Sequence, residues 1–282
     1  MTIPVSKQLL PVYDKPLVYY PLSVLMLAGI REILLISTPR DLPAFEALLG
    51  DGSQWGLSFS YAEQDQPRGL PEAYIIGQEF LSGRASMMIL GDNVLYGALL
   101  SEQLRRAGSL EDGACIFPYR VRNPADFGVV TFDDKGRPRS LVEKPSQPPS
   151  PWAVTGLYLM DGRAPELARD LVPSARGELE IIDLLGCYLR EGTLRAELLG
   201  RGVSWLDTGT PRALLQAAHF VEVIQERQGL RVSCPEEIAF RMGYIDEDQL
   251  LALARPLERT PYGTYLKRLS AEVRGEGGIL RA

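Results

Sequence analysis

The chain has 282 residues, 45% of them hydrophobic, and a formal net charge of −6. That is enough to bury a sizeable core, in one large domain or one domain with a tail; the charges are interspersed with no basic stripe, which argues against a nucleic-acid partner, and no apolar run reaches the roughly 18 residues expected of a membrane-spanning helix. Three widely spaced cysteines, Cys115, Cys187 and Cys234, make no disulfide framework or zinc knuckle and fit a reducing cytoplasm, and the N-terminus lacks the basic-then-apolar pattern of a secretory leader.

In chain order, Ser6 to Leu22 reads SKQLLPVYDKPLVYYPL. A lysine and a glutamine precede an apolar pair, a proline-bounded turn and a second apolar run, so this is a polar, cationic loop feeding a helix and a good place to hold an anion. The helix is predicted over Pro16 to Ala28, closing at Gly29. Glu32 to Ser37 (EILLIS) and Ala85 to Leu90 are short apolar runs bounded by turn residues, the pattern of buried strands, and Leu57 to Ala62 alternates as a strand does. Pro43 to Leu49 and Pro71 to Phe80 read as helices, with Pro71 suited to a first turn. Strands alternating with helices predict a mostly parallel sheet covered on both faces.

The middle of the chain is mixed. Ala114 to Val121, Gly128 to Asp133, Arg139 to Glu143 and Ala153 to Met160 read as strands, with Asp134-Lys135-Gly136 as a hairpin turn. Glu166 to Leu171 and Leu179 to Arg190 read as helices, and Leu194 to Leu199 as a strand. Pro211 to Arg227 is a strong amphipathic helix that Thr210 can cap. The single histidine, His219, falls inside it and reads as an ordinary helix residue rather than a metal ligand or a catalytic base. Shorter helices are predicted near Glu247 to Ala254 and Tyr262 to Ala271, before a loose tail. The expected division is a core over 1–230, a helical extension over 231–274 and the tail over 275–282.

Several residues stand where chemistry is done. Asp92 ends the strand-like run MMIL, and ligands of open α/β sheets bind outside the carboxyl ends of strands. Asp207 in WLDTG precedes a capped helix. Two carboxylates from separate loops suit a Mg2+ carried by a nucleotide, although turn aspartates are also common. Lys144 in VEKP follows Glu143 at a strand end; the carboxylate could take sugar hydroxyls and the ammonium a phosphate. Lys7 and Arg176, the latter in PSARGELE, are further phosphate candidates, and Gly128 and Gly156 are candidate close-approach glycines.

Read together, SKQLLPVYDKPLVYYPLSVLMLAGI, LGDGSQWGL, ILGDN, FGVV, EKP, VTGLY, PSARGELE, WLDTGT and ERQGLRVSCPEEIAF occur in one order along nearly the whole chain. In that combination the chain closely resembles the glucose-1-phosphate thymidylyltransferase family of sugar nucleotidyltransferases. The resemblance implies a Rossmann-like nucleotidyltransferase fold, a homotetramer, and conversion of dTTP and glucose 1-phosphate to dTDP-glucose and pyrophosphate, with Mg2+ as cofactor. It places Lys7 near the phosphates with Gln8 beside it. Gln64 and Gly69 match positions that contact the thymine base. Asp92 and Asp207 match metal ligands, and Gly128, Glu143, Thr155 and Gly156 match the sugar pocket. Lys144 matches the lysine on the sugar phosphate, and Arg176 a further phosphate contact.

The chain also departs from the family pattern. The family opens with a buried strand and a glycine-rich loop, G-G-x-G-T-R-L-x-P-x-T, of which Thr2 matches the last residue. A start called too late, a truncated gene or a deliberate truncation would each give this pattern, the first being the leading expectation, and each predicts an open slot in the sheet where that strand would lie. The family's G-L-A-Q-A appears as Gly69-Leu70-Pro71-Glu72-Ala73, T-D-I-N as Ile182-Asp183-Leu184-Leu185, and a Gly-His pair as Gly97-Ala98. Glu72 either brings negative charge close to the triphosphate or serves only its helix N-terminus. The alternative expectation is a catalytically weakened or inactive sugar-nucleotide-binding homologue or assembly partner.

Overall fold

The computed structural model describes residues 5–108, 110 and 112–275. Met1 to Pro4, with the Thr2 match, and the expected tail beyond Gly275 lie outside the described residues. The Pro-bounded turn near the start makes a small hairpin of β1 (Pro11–Val12) and β2 (Lys15–Pro16), which leads into α1 (Tyr19–Leu27). This helix is apolar all round, so it must be buried on all sides, and Tyr20 through Met26 are. Gly29 ends it with φ +87°, and the Ile30 N–H reaches back to the Leu25 carbonyl, a left-handed cap that few other residues could form.

Next come β3 (Glu32–Ser37), α2 (Leu42–Leu49), β4 (Ser58–Glu63), α3 (Glu72–Ile76), α4 (Gln78–Leu81) and β5 (Ser86–Ile89). The single helix predicted over Pro71 to Phe80 is thus two short ones that meet at Gly77. β6 (Asn93–Gly97) and α5 (Leu100–Gly108) follow, then β7 (Ala114–Arg120), β8 (Gly128–Phe132), β9 (Pro138–Glu143) and β10 (Trp152–Met160). The rest is α6 (Ala164–Arg169), α7 (Ile181–Arg190), β11 (Leu194–Ala196), β12 (Val203–Asp207), α8 (Pro211–Gln228), α9 (Pro235–Arg241), α10 (Glu247–Ala254) and α11 (Pro261–Gly275). The expected cap of α8 is present: the Ala213 N–H donates to Thr210 Oγ1. Strands β6 and β12 and helices α5 and α9 were not foreseen.

The α/β class with a Rossmann-like fold holds, with a mixed rather than mostly parallel central sheet. Its strands run β11-β7-β10-β8-β9, with β5 also on β10. Only β11–β7 is parallel in that sheet; β10 is antiparallel to β5, β7 and β8. For β8 and β9 the reason is local, since their short turn can join only antiparallel strands. β3 and β4 pair in parallel as a separate ribbon. Helices α9 to α11 share one apolar core with α1, α2 and β4, through residues such as Phe45, Trp55, Ile238 and Leu266.

The expected opening is present. Among the described residues β3 pairs only with β4, and β5 only with β10, leaving one edge of each strand without a partner. The two open edges run alongside. Arg84 ties to Glu32 at 2.9 Å where the strands begin, while Ser37 and Gly91 line one cavity where they end. That cavity holds about 210 Å3, and a second of about 140 Å3 opens on the other face; Leu25, Ile33, Leu34, Ile36 and Ile89 line both.

Candidate active site

The site is assembled at strand ends. β6 and β12 pair antiparallel with Asn93 opposite Asp207, so Asp92 and Asp207 come together although they lie far apart along the chain. The Thr208 N–H and Oγ1 both donate to the Asp92 carbonyl, at 3.0 and 2.7 Å, and lock the two loops. Lys7 Nζ donates to Asp92 Oδ2 at 2.5 Å. Burial pushes the Asp207 carboxyl above the ordinary range, and the Asp92 charge pushes it further; Lys7 and Lys144 pull it back. Two carboxylates that repel each other across a shared space are a cation site in the making.

Asn93, not among the residues singled out from sequence, joins this pair to the rest of the site. It is 2% exposed. Its Oδ1 accepts from Trp205 Nε1 at 2.6 Å and from the Gly156 N–H at 3.2 Å, while its Nδ2 donates to Asp92 Oδ1 at 3.1 Å. Gly156 permits this approach, because a Cβ there would lie 2.8 Å from Asn93 Oδ1. The polar residues within ILGDN and WLDTG were the available signal, but only the strand pairing shows that they meet.

A cavity of about 300 Å3 has Lys144, whose charge acts on Asp207, in its wall, along with Gln64, Gly69, Glu143 and Arg176 among others. Gly128 pairs with Glu143 in register, and a Cβ on Gly128 would sit 2.7 Å from Ile182. Burial raises the Glu143 carboxyl above its ordinary range, opposed by Lys144 and reinforced by Glu180. Lys144 Nζ stands 3.8 Å from Glu143, and Lys144 holds a left-handed backbone with φ 38° while its N–H donates to the Phe127 carbonyl. A non-glycine residue in that region is strained, and such strain collects at functional sites. Because Lys144 acts on both Asp207 and Glu143, it links the carboxylate pair to the cavity.

Not every expected residue turns its side chain to this space. Thr155 is fully buried and its Oγ1 donates to the Phe117 carbonyl, inside the sheet. Gln8 accepts from Ser6 Oγ and lies at the mouth of the opening between β3 and β5, where Gly91 leaves it room. Arg176 lines the cavity with its guanidinium held by Glu180 at 2.8 Å and 3.6 Å from Glu143. Glu72 is neither free in solvent nor aimed at an anion. It is nearly buried, accepting from Gln64 Nε2 at 2.6 Å and from Arg68 Nη1 at 2.7 Å. His219 is an exposed residue of α8, 3.3 Å from Glu222, as the helix pattern predicted.

Residues 1–223 match the nucleotidyl transferase family model. A glucose-1-phosphate thymidylyltransferase of Xanthomonas campestris pv. campestris (strain B100) is 56% identical over 266 residues, covering 94% of this chain and 90% of that protein. The enzymes so named from Neisseria meningitidis and Mycobacterium tuberculosis (strain CDC 1551 / Oshkosh) are 54% and 52% identical, over 94% and 95% of this chain and 92% and 93% of their own lengths. Among solved structures, one named as a glucose-1-phosphate thymidylyltransferase, from Bacillus anthracis and in complex with sucrose, superimposes with a TM-score of 0.71 at 31% identity. It covers 78% of this chain and 89% of its own. A UDP-glucose pyrophosphorylase complexed with UDP-glucose gives 0.68 at 21% identity, over 77% and 90% of the two chains, a likeness of fold alone.

Proposed function

We infer function from the premise that this chain belongs to the nucleotidyl transferase family and, within it, to the glucose-1-phosphate thymidylyltransferases. It transfers a thymidylyl group from dTTP to glucose 1-phosphate, giving dTDP-glucose and pyrophosphate. The observation that carries the reading is the convergence of Asp92, Asp207, Lys7 and Lys144 beside a cavity with Glu143 at its wall.

In that reading an oxygen of the sugar phosphate attacks the α-phosphorus in line. A new P–O bond forms as the bond to the β-phosphate breaks, and pyrophosphate leaves with its electron pair. Both reactants are anionic, so most of the catalysis is alignment and relief of repulsion. Lys7 offsets charge at the nucleotide phosphates, and Lys144 and Arg176 do so at the sugar phosphate. Glu143 accepts sugar hydroxyls, with Gly128 and Gly156 letting the sugar approach the backbone and Thr155 fixing the strand that carries Gly156. Gln64 and Gly69 face the base, and Gln8 supports the loop that presents Lys7. No protein nucleophile or histidine takes part.

Asp92 and Asp207 would hold a Mg2+, for which two hard carboxylate oxygens complemented by phosphates and water are a fitting donor set. Bound there, the ion would neutralise developing phosphate charge. A homotetramer is the assembly that the family resemblance implies. Among the described residues no helix is long and apolar enough to cross a membrane, and three free cysteines, two of them buried, support a cytoplasmic setting. A division into a core over 1–230 and a helical extension over 231–274 is the working domain scheme. The departures at Glu72 and at Ile182 to Leu185 favour a second reading, a sugar-nucleotide-binding homologue with weakened turnover.

Incubation with dTTP, glucose 1-phosphate and Mg2+ separates the two. The enzyme reading expects dTDP-glucose and pyrophosphate in equal amounts. Nucleotide binding without product would leave the second reading standing in its place.

A further inference from the structure

We propose that the outward face of α8 is a two-fold contact on which a second copy of this chain docks, helix against helix in opposite directions; this does not rest on the catalytic reading. With 18 residues, α8 is the longest helix among the described residues. Its inner face, through Ala217 and Val221, is buried in one core with Val12 and Val94. The face opposite a buried stripe is ordinarily polar. Here it carries Leu215 and Val223, 58% and 56% exposed, with the exposed His219 midway between them. Steps of four residues put these three side chains in one line along the helix. The exposed ring of Tyr13 extends the strip at one end, where its hydroxyl donates to Glu226 Oε1 at 3.0 Å.

The order of residues along the strip identifies the occupant. Arg212, Leu215, His219, Val223 and Glu226 are all exposed and follow one another by three or four residues, the spacing of a coiled-coil seam. Laid antiparallel against itself about His219, the strip is self-complementary. Arg212 faces Glu226 of the second copy, Leu215 faces Val223, and His219 faces His219. A two-fold axis makes each of the first two contacts twice. A parallel copy would instead set Arg212 against Arg212 and Glu226 against Glu226. The apolar pairs supply attraction, and the ion pairs at the two ends fix direction and register. A lipid surface would call for basic residues along the rim, whereas Glu222 and Glu226 hold one end of this strip.

Sedimentation equilibrium over a concentration series reads the contact. Arg212→Glu and Glu226→Arg each set like charges face to face and are expected to weaken association about tenfold, a change of roughly 1.4 kcal/mol. Mixing the two single variants should restore it, since each supplies the charge that the other lacks. A variant that merely folds poorly cannot be rescued in this way. His219→Cys tests the axis itself. Under mild oxidation it should give a covalent dimer, because a residue on the axis meets its own copy within the roughly 7 Å that a disulfide spans. Arg227→Cys, eight positions further along the same helix, should not, as its two copies would lie about 24 Å apart. The proposal is overturned by a wild type that stays monomeric throughout, by single charge variants that associate as tightly as the wild type, or by His219→Cys cross-linking no more than Arg227→Cys. These readouts concern assembly alone, so a chain that pairs through α8 yet makes no dTDP-glucose counts against the enzymatic reading and leaves the contact standing.

Discussion

The sheet around β10 and the ribbon around β3 are made of similar residues but are buried very differently. In β10, WAVTGLYLM, every residue after the first is buried, because strands flank it on both edges. In β5, SMMI, no residue is, and in β3, EILLIS, only Ile33 is. Apolar side chains alone therefore do not close a core. Burial of a strand requires a neighbour on each edge to complete the backbone ladder and cover the next row of side chains. The proposed chemistry straddles this boundary: Asp92 follows the half-open β5, whereas Asp207, Glu143 and Gly156 belong to strands outside the opening.

The largest effect should come where the two regions meet. Asp92→Asn and Asp207→Asn are each expected to lower pyrophosphate release by at least about a hundredfold, since each removes a charge that nothing else at the site supplies. Thermal unfolding should change little, and Asp207→Asn should be neutral or slightly stabilising because the buried repulsion with Asp92 is relieved. Retained release in either variant would detach the chemistry from this carboxylate pair.

Core truncation tests the contrast directly. Leu157 is fully buried in β10, so Leu157→Ala should cost about 2–5 kcal/mol in denaturant unfolding. Ile89, at the end of β5, already borders both cavities, so Ile89→Ala creates less new void and should cost roughly half as much. Equal losses would mean that the opening is closed in solution. Hydrogen exchange sharpens the point, since β5 amides facing the opening should exchange faster than those of β10.

The smallest effect concerns pH. Burial raises the Glu143 carboxyl, so folding disfavours its charged form. Its ionisation then costs stability as pH rises through the raised value, and costs nothing below about pH 4, where glutamate is protonated in both states. Glu143→Gln should match the wild type in unfolding temperature at about pH 4, be slightly more stable near pH 7, and bind glucose 1-phosphate less well. A stability gain that is the same at both pH values would remove burial of the charge as its cause.

Much of this was legible in the residues. The strands Glu32 to Ser37 and Ala85 to Leu90 and the capped helix from Pro211 show in apolar runs and turn chemistry, which are local signals. The β6–β12 ribbon was not, because NVLYG and VSWLD begin and end in residues that also make turns, and only their long-range pairing defines them as strands. Helix α9, seven residues long, is too short for periodicity to stand out. Within the site, the candidate residues at strand ends could be picked from sequence. The roles of Asn93 and Thr208 could not, because the contacts that tie them across the site lie more than sixty positions away. Glu72 was marked as unusual, but its partnership with Gln64 and Arg68 depends on how α3 packs behind β4.

The Asn93 carboxamide makes three contacts at once: Asp92 in the loop before it, Trp205 in β12 and the Gly156 backbone in β10. A planar amide has one rotational freedom at its end, so these three contacts move as the spokes of a single wheel. Thermal motion of the wall on which the sugar would rest is thereby correlated with motion of the carboxylate that would face the nucleotide. The two reactants would be held in one shared frame of reference rather than in two pockets that fluctuate apart, which matters for a reaction whose barrier depends on keeping three atoms in a line.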